Sequence, residues 1–235
     1  MRVGWNERTI TWLEAASEFT GFHRKLAELL RPHLHPGGTL CDLGCGLGLI
    51  DLELSPWFER ITCLDTSAPA LAALERLAAR RGCTNLEPVR GDVEELEGEW
   101  DSVLGVFFGF GDRIPQWLSH CRRSLVAVVA DGGRPSFGPG HPAKRYTADY
   151  AQALLEEAGI PYRMERHGLE YGQPFRSLEE AEEFGRIYSG GSLAEDLAYL
   201  HDRLTATGDP VYPWYLPQEK RFAVFAVQKE AARAC

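Results

Sequence analysis

Gly44, Gly46 and Gly48 share one short turn, Asp65 follows it by roughly 20 residues, and Asp92 comes directly after Gly91. Glycine in such a turn lets the backbone approach a ligand closely. A Cβ would restrict the turn and push the ligand away, while the start of the following helix supplies free N–H donors. A carboxylate at Asp65 is placed to accept from two ribose hydroxyls. One at Asp92 is placed to accept from the exocyclic amine of an adenine ring. Each feature alone has an ordinary reading, since tight strand-to-helix turns use glycines and polar residues often end strands. Their joint occurrence in register argues for a nucleoside-bearing ligand.

These residues need a frame that brings strand ends together. Thr39 to Leu43 is a short apolar run leading into the glycine turn, and Leu49, Ile50, Leu52 and Leu54 fit a helix ended near Pro56. Ile61 to Leu64 reads as a strand, Pro69 to Arg81 as a helix and Leu86 to Val89 as a strand. Asp101 to Phe108 reads as a buried strand, Pro115 to Arg122 as a helix, and Ser124 to Ala130 as a strand ending at Asp131. This alternation implies a parallel sheet covered on both faces, with ligands bound beyond the carboxyl ends of its strands.

Upstream, Leu13, Ala16, Phe19, Phe22, Leu26, Leu29 and Leu30 recur at helical spacing, predicting one amphipathic helix that Pro32 and Pro36-Gly37-Gly38 stop. Downstream, Gly132 to Pro142 is a Gly- and Pro-rich loop. Thr147 to Ala158 is a helix with Thr147 as N-cap and Gly159 as its end, and Tyr162 to Tyr171 and Arg221 to Gln228 are strands. Between those strands lie about 45 residues, too structured for a loop. They comprise helical patterns at Ser177 to Tyr188 and Leu193 to Thr205, then Tyr212-Pro213-Trp214-Tyr215-Leu216-Pro217. The expected organisation is one domain over 1–235, with an N-terminal helical extension at 1–38 and a cofactor-binding core at 39–171. A helical insertion or cap at 172–219 and the last strand and tail at 220–235 complete it.

A chain of 235 residues, 44% hydrophobic and 25% charged, suits one α/β domain. The net charge of -9, without a cluster of Lys and Arg, argues against a nucleic-acid partner. Cys41, Cys45, Cys63, Cys83, Cys121 and Cys235 are scattered and form no metal-binding knuckle, so they read as reduced core residues and no metal is expected. Met1 to Arg8 lacks an apolar h-region, and no stretch approaches the roughly 18 apolar residues of a membrane span. No membrane partner and a cytoplasmic location are the expectation.

The run Leu40-Cys41-Asp42-Leu43-Gly44-Cys45-Gly46-Leu47-Gly48, then Asp65, then Gly91-Asp92, resembles the class I S-adenosylmethionine-dependent methyltransferases over about residues 39 to 131. The resemblance implies S-adenosyl-L-methionine as cofactor, with the backbone at Gly44 and Gly46 against its methionine part and Asp42 orienting that part. Asp65 would hold the ribose, and Asp92 with Val93 would meet the adenine. Cys45, Gly48, Thr66, Gly105 and Phe107 complete the implied cofactor-binding set. A doubly wound, mostly parallel, seven-stranded Rossmann-like sheet is also implied, with an antiparallel last strand and Tyr162 to Tyr171 and Arg221 to Gln228 as its final pair. A nicotinamide-dependent dehydrogenase is the remote alternative on this architecture. Its GxGxxG fingerprint needs glycine at position 49, where Leu49 stands.

Methyl transfer from a sulfonium uses an already activated donor, so the protein mainly aligns the reactants and excludes water, and a dedicated acid or base is optional. Phe107, Phe108 and Phe110 are placed to wall the reaction centre, and aromatic faces suit a cationic sulfonium. Members that methylate nucleic-acid bases or glutamine amides carry an Asn/Asp-Pro-Pro-aromatic motif after the fourth strand. Here Gly105-Val106-Phe107-Phe108 stands instead. A small-molecule acceptor is therefore expected first and a protein side chain second, with Phe108, Phe110, Trp214 and Tyr215 as candidate pocket residues. His23, Asp131 and His141 are the candidate bases. A non-catalytic sensor or complex partner that binds the cofactor stays open, as does the choice between monomer and homodimer.

Overall fold

The computed structural model describes residues 4–109, 113–132 and 146–229. Asn6 opens helix α1 (Glu7–Thr20) with a reciprocal cap: its side chain accepts from the Thr9 N–H and its own N–H donates to the Thr9 hydroxyl, both at 3.0 Å. Gly21 ends α1 with a left-handed φ of 63° and an N–H returned to the Ser17 carbonyl at 2.9 Å. Helix α2 (Phe22–Leu30) then starts afresh. The single helix expected here is thus two, because the apolar spacing runs on across a glycine that the backbone uses as a cap.

The expected alternation follows as β1 (Thr39–Leu43), α3 (Leu49–Leu54), β2 (Arg60–Asp65), α4 (Ala68–Arg81) and β3 (Leu86–Arg90). It continues with β4 (Trp100–Val106), α5 (Ile114–Ser119), β5 (Cys121–Ala130), α6 (Ala148–Glu157) and β6 (Arg163–Glu170). Helix α5 stops short of the expected Arg122 because β5 already begins at Cys121, which pairs with Trp100; Arg122 and Arg123 are its exposed start. Thr147 caps α6, accepting from the Tyr150 N–H at 3.4 Å. The chain ends in β7 (Gln173–Phe175), α7 (Leu178–Tyr188), α8 (Leu193–Arg203), β8 (Thr205–Ala206), β9 (Trp214–Leu216) and β10 (Glu219–Gln228).

Strand β1 pairs in parallel with β2 and β4, β2 with β3, and β4 with β5. The seven-stranded order is β3-β2-β1-β4-β5-β10-β6, with β10 antiparallel to β5, as the resemblance implies. The order reverses between β1 and β4, so the carboxyl ends of β1, β2 and β4 border the switch point where such sheets bind ligands. Burial of the sheet explains its apolar strands: Cys41, Leu43, Val103, Leu125 and Phe225 form one core with Trp117 of α5 and Leu155 of α6.

The chain divides into two compact units. One holds the residues up to Phe22 together with Gly168–Arg221; the other holds His23–Asp131, Tyr146–His167 and the chain from Phe222. In the first, β7, β9 and β8 form a small antiparallel sheet, and Phe175, Ala181, Leu200 and Leu216 form a core. Trp12 of α1 belongs to this unit, edge-on to Phe184 with ring centroids 5.3 Å apart and its indole N–H donated to Glu180 at 3.0 Å. Among the described residues, no helix is long and apolar enough to cross a membrane.

Candidate functional site

The glycine turn hangs from β2 by its backbone. The Gly44 and Cys45 N–H groups both donate to the Leu64 carbonyl, at 2.8 and 3.0 Å. The Gly46 N–H donates to Asp65 Oδ2 at 2.9 Å, while Asp65 Oδ1 accepts from the Ser67 N–H at 2.8 Å. Asp65 is therefore fixed by one donor on each oxygen, and a half-buried carboxylate so held has lone pairs left for ligand hydroxyls. Glycine is required at Gly44, where φ is 69° and a Cβ would overlap the Phe108 ring. Gly48 has φ of 62°, and a Cβ there would overlap Leu74 of α4, so the glycine also lets α3 and α4 close together.

Two consecutive phenylalanines leave β4 in different directions. Phe107 is the one non-glycine residue with positive φ (53°) among the described residues, and its N–H donates to the Val128 carbonyl at 2.8 Å. Its ring meets Phe222 of β10 edge-on at 6.0 Å. This turn in the backbone sends Phe108 the other way, to stack on Trp117 with centroids 6.1 Å apart and to cover Gly44. Phe108, more than Phe107, walls the glycine turn. Gly105 lies within the sheet, in register with Ala127 and beneath Trp117.

Beneath the turn sits a cluster of acids. Asp42 and Asp51 are 1% and 0% exposed, and none of their four carboxyl oxygens has a hydrogen-bond partner. Burial, and then the facing Asp51, hold the Asp42 carboxyl well above the usual carboxylate range. Burial pushes Asp51 up to about 7. Burial followed by the charge of Asp42 raises the Cys41 thiol, and contact with Cys45 followed by burial raises Cys63. Cys41, Cys45, Cys63, Cys83 and Cys121 are all free thiols.

The remaining candidates are dispersed. Asp92 is exposed at the end of β3, accepting from the Glu94 N–H at 3.0 Å as the cap of a short turn, and Val93 is buried in the sheet core. Thr66 is exposed beside Asp65, and the Cys45 thiol donates to the Gly46 carbonyl at 3.7 Å. Asp131 ends β5 with its carboxylate bound to the Arg166 guanidinium, which also pairs with Asp149 at 2.7 Å. His23 is half-buried on α2. Trp214 and Tyr215 lie on β9 of the other unit, where the Tyr215 hydroxyl donates to Glu170 and Trp214 rests on the small core. Phe110 and His141 lie outside the described residues.

Two residues were not foreseen. Asp51 reads in sequence as the polar face of an amphipathic helix, and only its burial with Leu49, Ile50, Leu52 and Leu54 marks it as a second acid under the turn. His167 of β6 sits beside Phe222, with ring centroids 5.7 Å apart, next to the ring that carries Phe107. Lying in an alternating strand, it carried no local signal.

Among the described residues no three or more His, Cys, Asp or Glu side chains converge as a metal ion requires. The gathered groups bind and position: glycine backbone, an anchored carboxylate, an aromatic wall and two orphaned buried acids. Those acids suit a ligand bearing a positive charge, and the anchored Asp65 suits one bearing a diol, so the residues fit S-adenosylmethionine.

Residues 40–133 match the family model described as a methyltransferase domain. No curated protein matches the chain. Solved structures share the fold. Precorrin 8w decarboxylase of Methanobacterium thermoautotrophicum is 14% identical over 86% of this chain and 89% of its own, with a TM-score of 0.55. Magnesium protoporphyrin IX methyltransferase of Synechocystis PCC 6803, solved with bound SAH, is 15% identical over 89% and 83%, with a TM-score of 0.53. Precorrin-6y C5,15-methyltransferase of Geobacter metallireducens GS-15 is 13% identical over 87% of each chain, with a TM-score of 0.53.

Proposed function

We propose that the chain, whose residues 40–133 match a methyltransferase-domain model, is a class I S-adenosylmethionine-dependent methyltransferase acting on a small-molecule acceptor. The observation that supports this most directly is the glycine turn locked to the Asp65 carboxylate, which the Gly46 and Ser67 N–H groups hold in place. When bound, the cofactor would supply a sulfonium-activated methyl group for attack by a nucleophile, with S-adenosylhomocysteine as the leaving group. The Gly44 and Gly46 backbone, with Cys45 and Gly48, forms the cradle for the methionine part, and Asp42 answers its charge from below. Asp65 and Thr66 hold the ribose, while Asp92 and Val93 border the adenine. Gly105 and Phe107 shape the end of β4, and Phe108 keeps water from the methyl group.

A small acceptor is favoured by the net charge of -9 and by Gly105-Val106-Phe107-Phe108 in place of an amide- or base-binding motif. Relatives in fold named as methyltransferases of precorrin and of magnesium protoporphyrin favour it as well. We assign Phe108 to the acceptor side.

Calorimetric titration of the purified chain with S-adenosylmethionine, S-adenosylhomocysteine and NAD tests the reading. Binding of both sulfur compounds and none of NAD is expected, followed by methyl incorporation into a small acceptor from a metabolite panel. Failure of either sulfur compound to bind would overturn it. Binding with no acceptor in the small-molecule or protein panels would instead favour a cofactor-binding sensor.

A further inference from the structure

Asp42 is two residues before Gly44 and Asp51 three after Gly48, so the two acids flank the glycine turn in sequence and meet beneath it in space. Both are essentially excluded from solvent, and none of their oxygens is hydrogen-bonded. A fold has no use for such an arrangement. Burying a carboxyl without partners destabilises the native state, and two carboxylates that face each other in a dry site cannot both be ionised. The titratable groups acting on the pair are Cys45 from the turn and Cys63 and Asp65 from β2, and Cys41 of β1 lies beside it. Among the described residues none of these groups is a cation. Among the described residues nothing therefore offers the pair a positive partner.

We propose that Asp51 forms with Asp42 a proton-holding acid pair that gives up its proton when the α-ammonium group of the cofactor's methionine end settles by Gly44 and Gly46. The proposal rests on the cofactor reading of the site and makes Asp51 a positioning residue within it. In the cofactor-free protein the pair holds a proton at neutral pH, because burial and mutual repulsion disfavour the charged forms. An α-ammonium group nearby favours those charged forms, so the pair ionises and the proton passes to the buffer. The bound state then holds fewer protons than the free state, and binding must tighten as pH rises through the free pair's titration. For one proton the gain is up to about tenfold per pH unit. It flattens once pH has risen past the titration of the free pair. The pair titrates as a unit, so the proton belongs to both residues.

The experiment is calorimetry of S-adenosylhomocysteine binding to the full chain on either side of neutral pH, in two buffers of different ionisation enthalpy. Infrared spectra of the cofactor-free protein, read for the carbonyl stretch of a protonated carboxylic acid, accompany it. The expected result is a buffer-dependent heat reporting proton release below neutrality, tighter binding at the higher pH, and loss of both in Asp51→Asn. 5′-Methylthioadenosine, which lacks the ammonium end, should bind without release. Release that persists in Asp51→Asn, or that 5′-methylthioadenosine also produces, overturns the proposal and leaves the function standing. Binding without any proton release does the same. A missing protonated-acid band overturns the pair whether or not the cofactor binds. No binding of S-adenosylhomocysteine at any pH overturns both this inference and the proposed function.

Discussion

In the unit formed by the residues up to Phe22 and Gly168–Arg221, the buried Asp196 carboxyl accepts from the Ser189 hydroxyl at 2.6 Å and the Gly190 N–H at 3.1 Å. Glu180 accepts from the Trp12 indole at 3.0 Å and the Arg176 N–H at 2.6 Å, and Glu170 accepts from the Tyr215 hydroxyl and the Gln218 N–H. Beneath the glycine turn of the other unit, Asp42 and Asp51 are equally buried and accept nothing. The same residue type thus does two kinds of work. Where donors converge on an acid, it braces a turn or a helix start. Where they are absent among the described residues, the acid is left for a ligand under the proposal above. A cleft in the first unit illustrates the braced case. It is lined by Arg8, Trp12, Arg176, Glu179, Glu180 and Glu183, yet Arg8 pairs with Glu183 and Trp12 with Glu180, so its polar groups already answer one another.

The largest expected effect comes from an acid that belongs to both kinds. Asp65 braces the turn through Gly46 and Ser67 and faces the ligand as well. Asp65→Ala should weaken S-adenosylhomocysteine binding at least about tenfold, since each charged hydrogen bond is worth about 1.5–3 kcal/mol. The far-ultraviolet dichroism of the fold should be retained. Unchanged affinity would place the ribose elsewhere and remove Asp65 from the binding side of the comparison.

Asp196→Ala comes next and should show the opposite pattern. Leaving the Ser189 hydroxyl and the Gly190 N–H without their acceptor should cost about 1–3 kcal/mol in urea unfolding, with cofactor affinity intact. A variant that keeps its stability but loses affinity would erase the distinction between braced and orphaned acids.

Asp51→Asn should have a smaller effect and the reverse sign. The folded state raises Asp51 from 3.8 to about 7, so it binds more protons than the unfolded chain between those values, and stability falls as pH rises through that window. Removing the carboxyl should stabilise the protein above neutral pH by on the order of 1–2 kcal/mol. It should change nothing in acid, below the unfolded value. Thermal melts across that range check it, at about 2–4 °C for each kcal/mol in a chain of this size. Equal destabilisation at every pH would show Asp51 to be an ordinary packing element.

The glycine turn and the doubly wound sheet were legible because both are written locally. Strands buried on two faces favour apolar runs, as Leu125 to Ala130 is and as Leu40 to Leu43 is but for Asp42, and a turn with left-handed residues favours glycine. What stayed hidden depends on distant partners. Gln173 donates to the Trp12 carbonyl across 161 residues, and this pairing of α1 with the inserted segment leaves no mark at either end. Strands β8 and β9 are too short to show a period. Gly21 was overlooked because Phe19, Phe22 and Leu26 keep helical spacing across it. Asp51 was overlooked for a related reason: an acid among leucines reads as a solvent face, and whether α3 has one is decided by what covers it.

Tyr215 sets the smallest test and the one that reaches the acceptor side. Burial, and then its hydrogen bond to Glu170, raise its hydroxyl above the ordinary tyrosine range, so it stays protonated and donates. It is a brace through its hydroxyl and a candidate pocket wall through its ring, which lies 5.0 Å from that of Phe19. Tyr215→Phe removes the first role alone and should cost about 0.5–1.5 kcal/mol of stability, with KM for the acceptor unchanged. Tyr215→Ala removes both and should raise that KM while leaving cofactor affinity alone. If the phenylalanine variant already loses turnover without losing stability, the hydroxyl touches the acceptor and Tyr215 crosses from the braced class to the binding class. If neither variant moves KM, Tyr215 is a brace only, and the acceptor must be held by residues of the other unit, with Phe108 first among them.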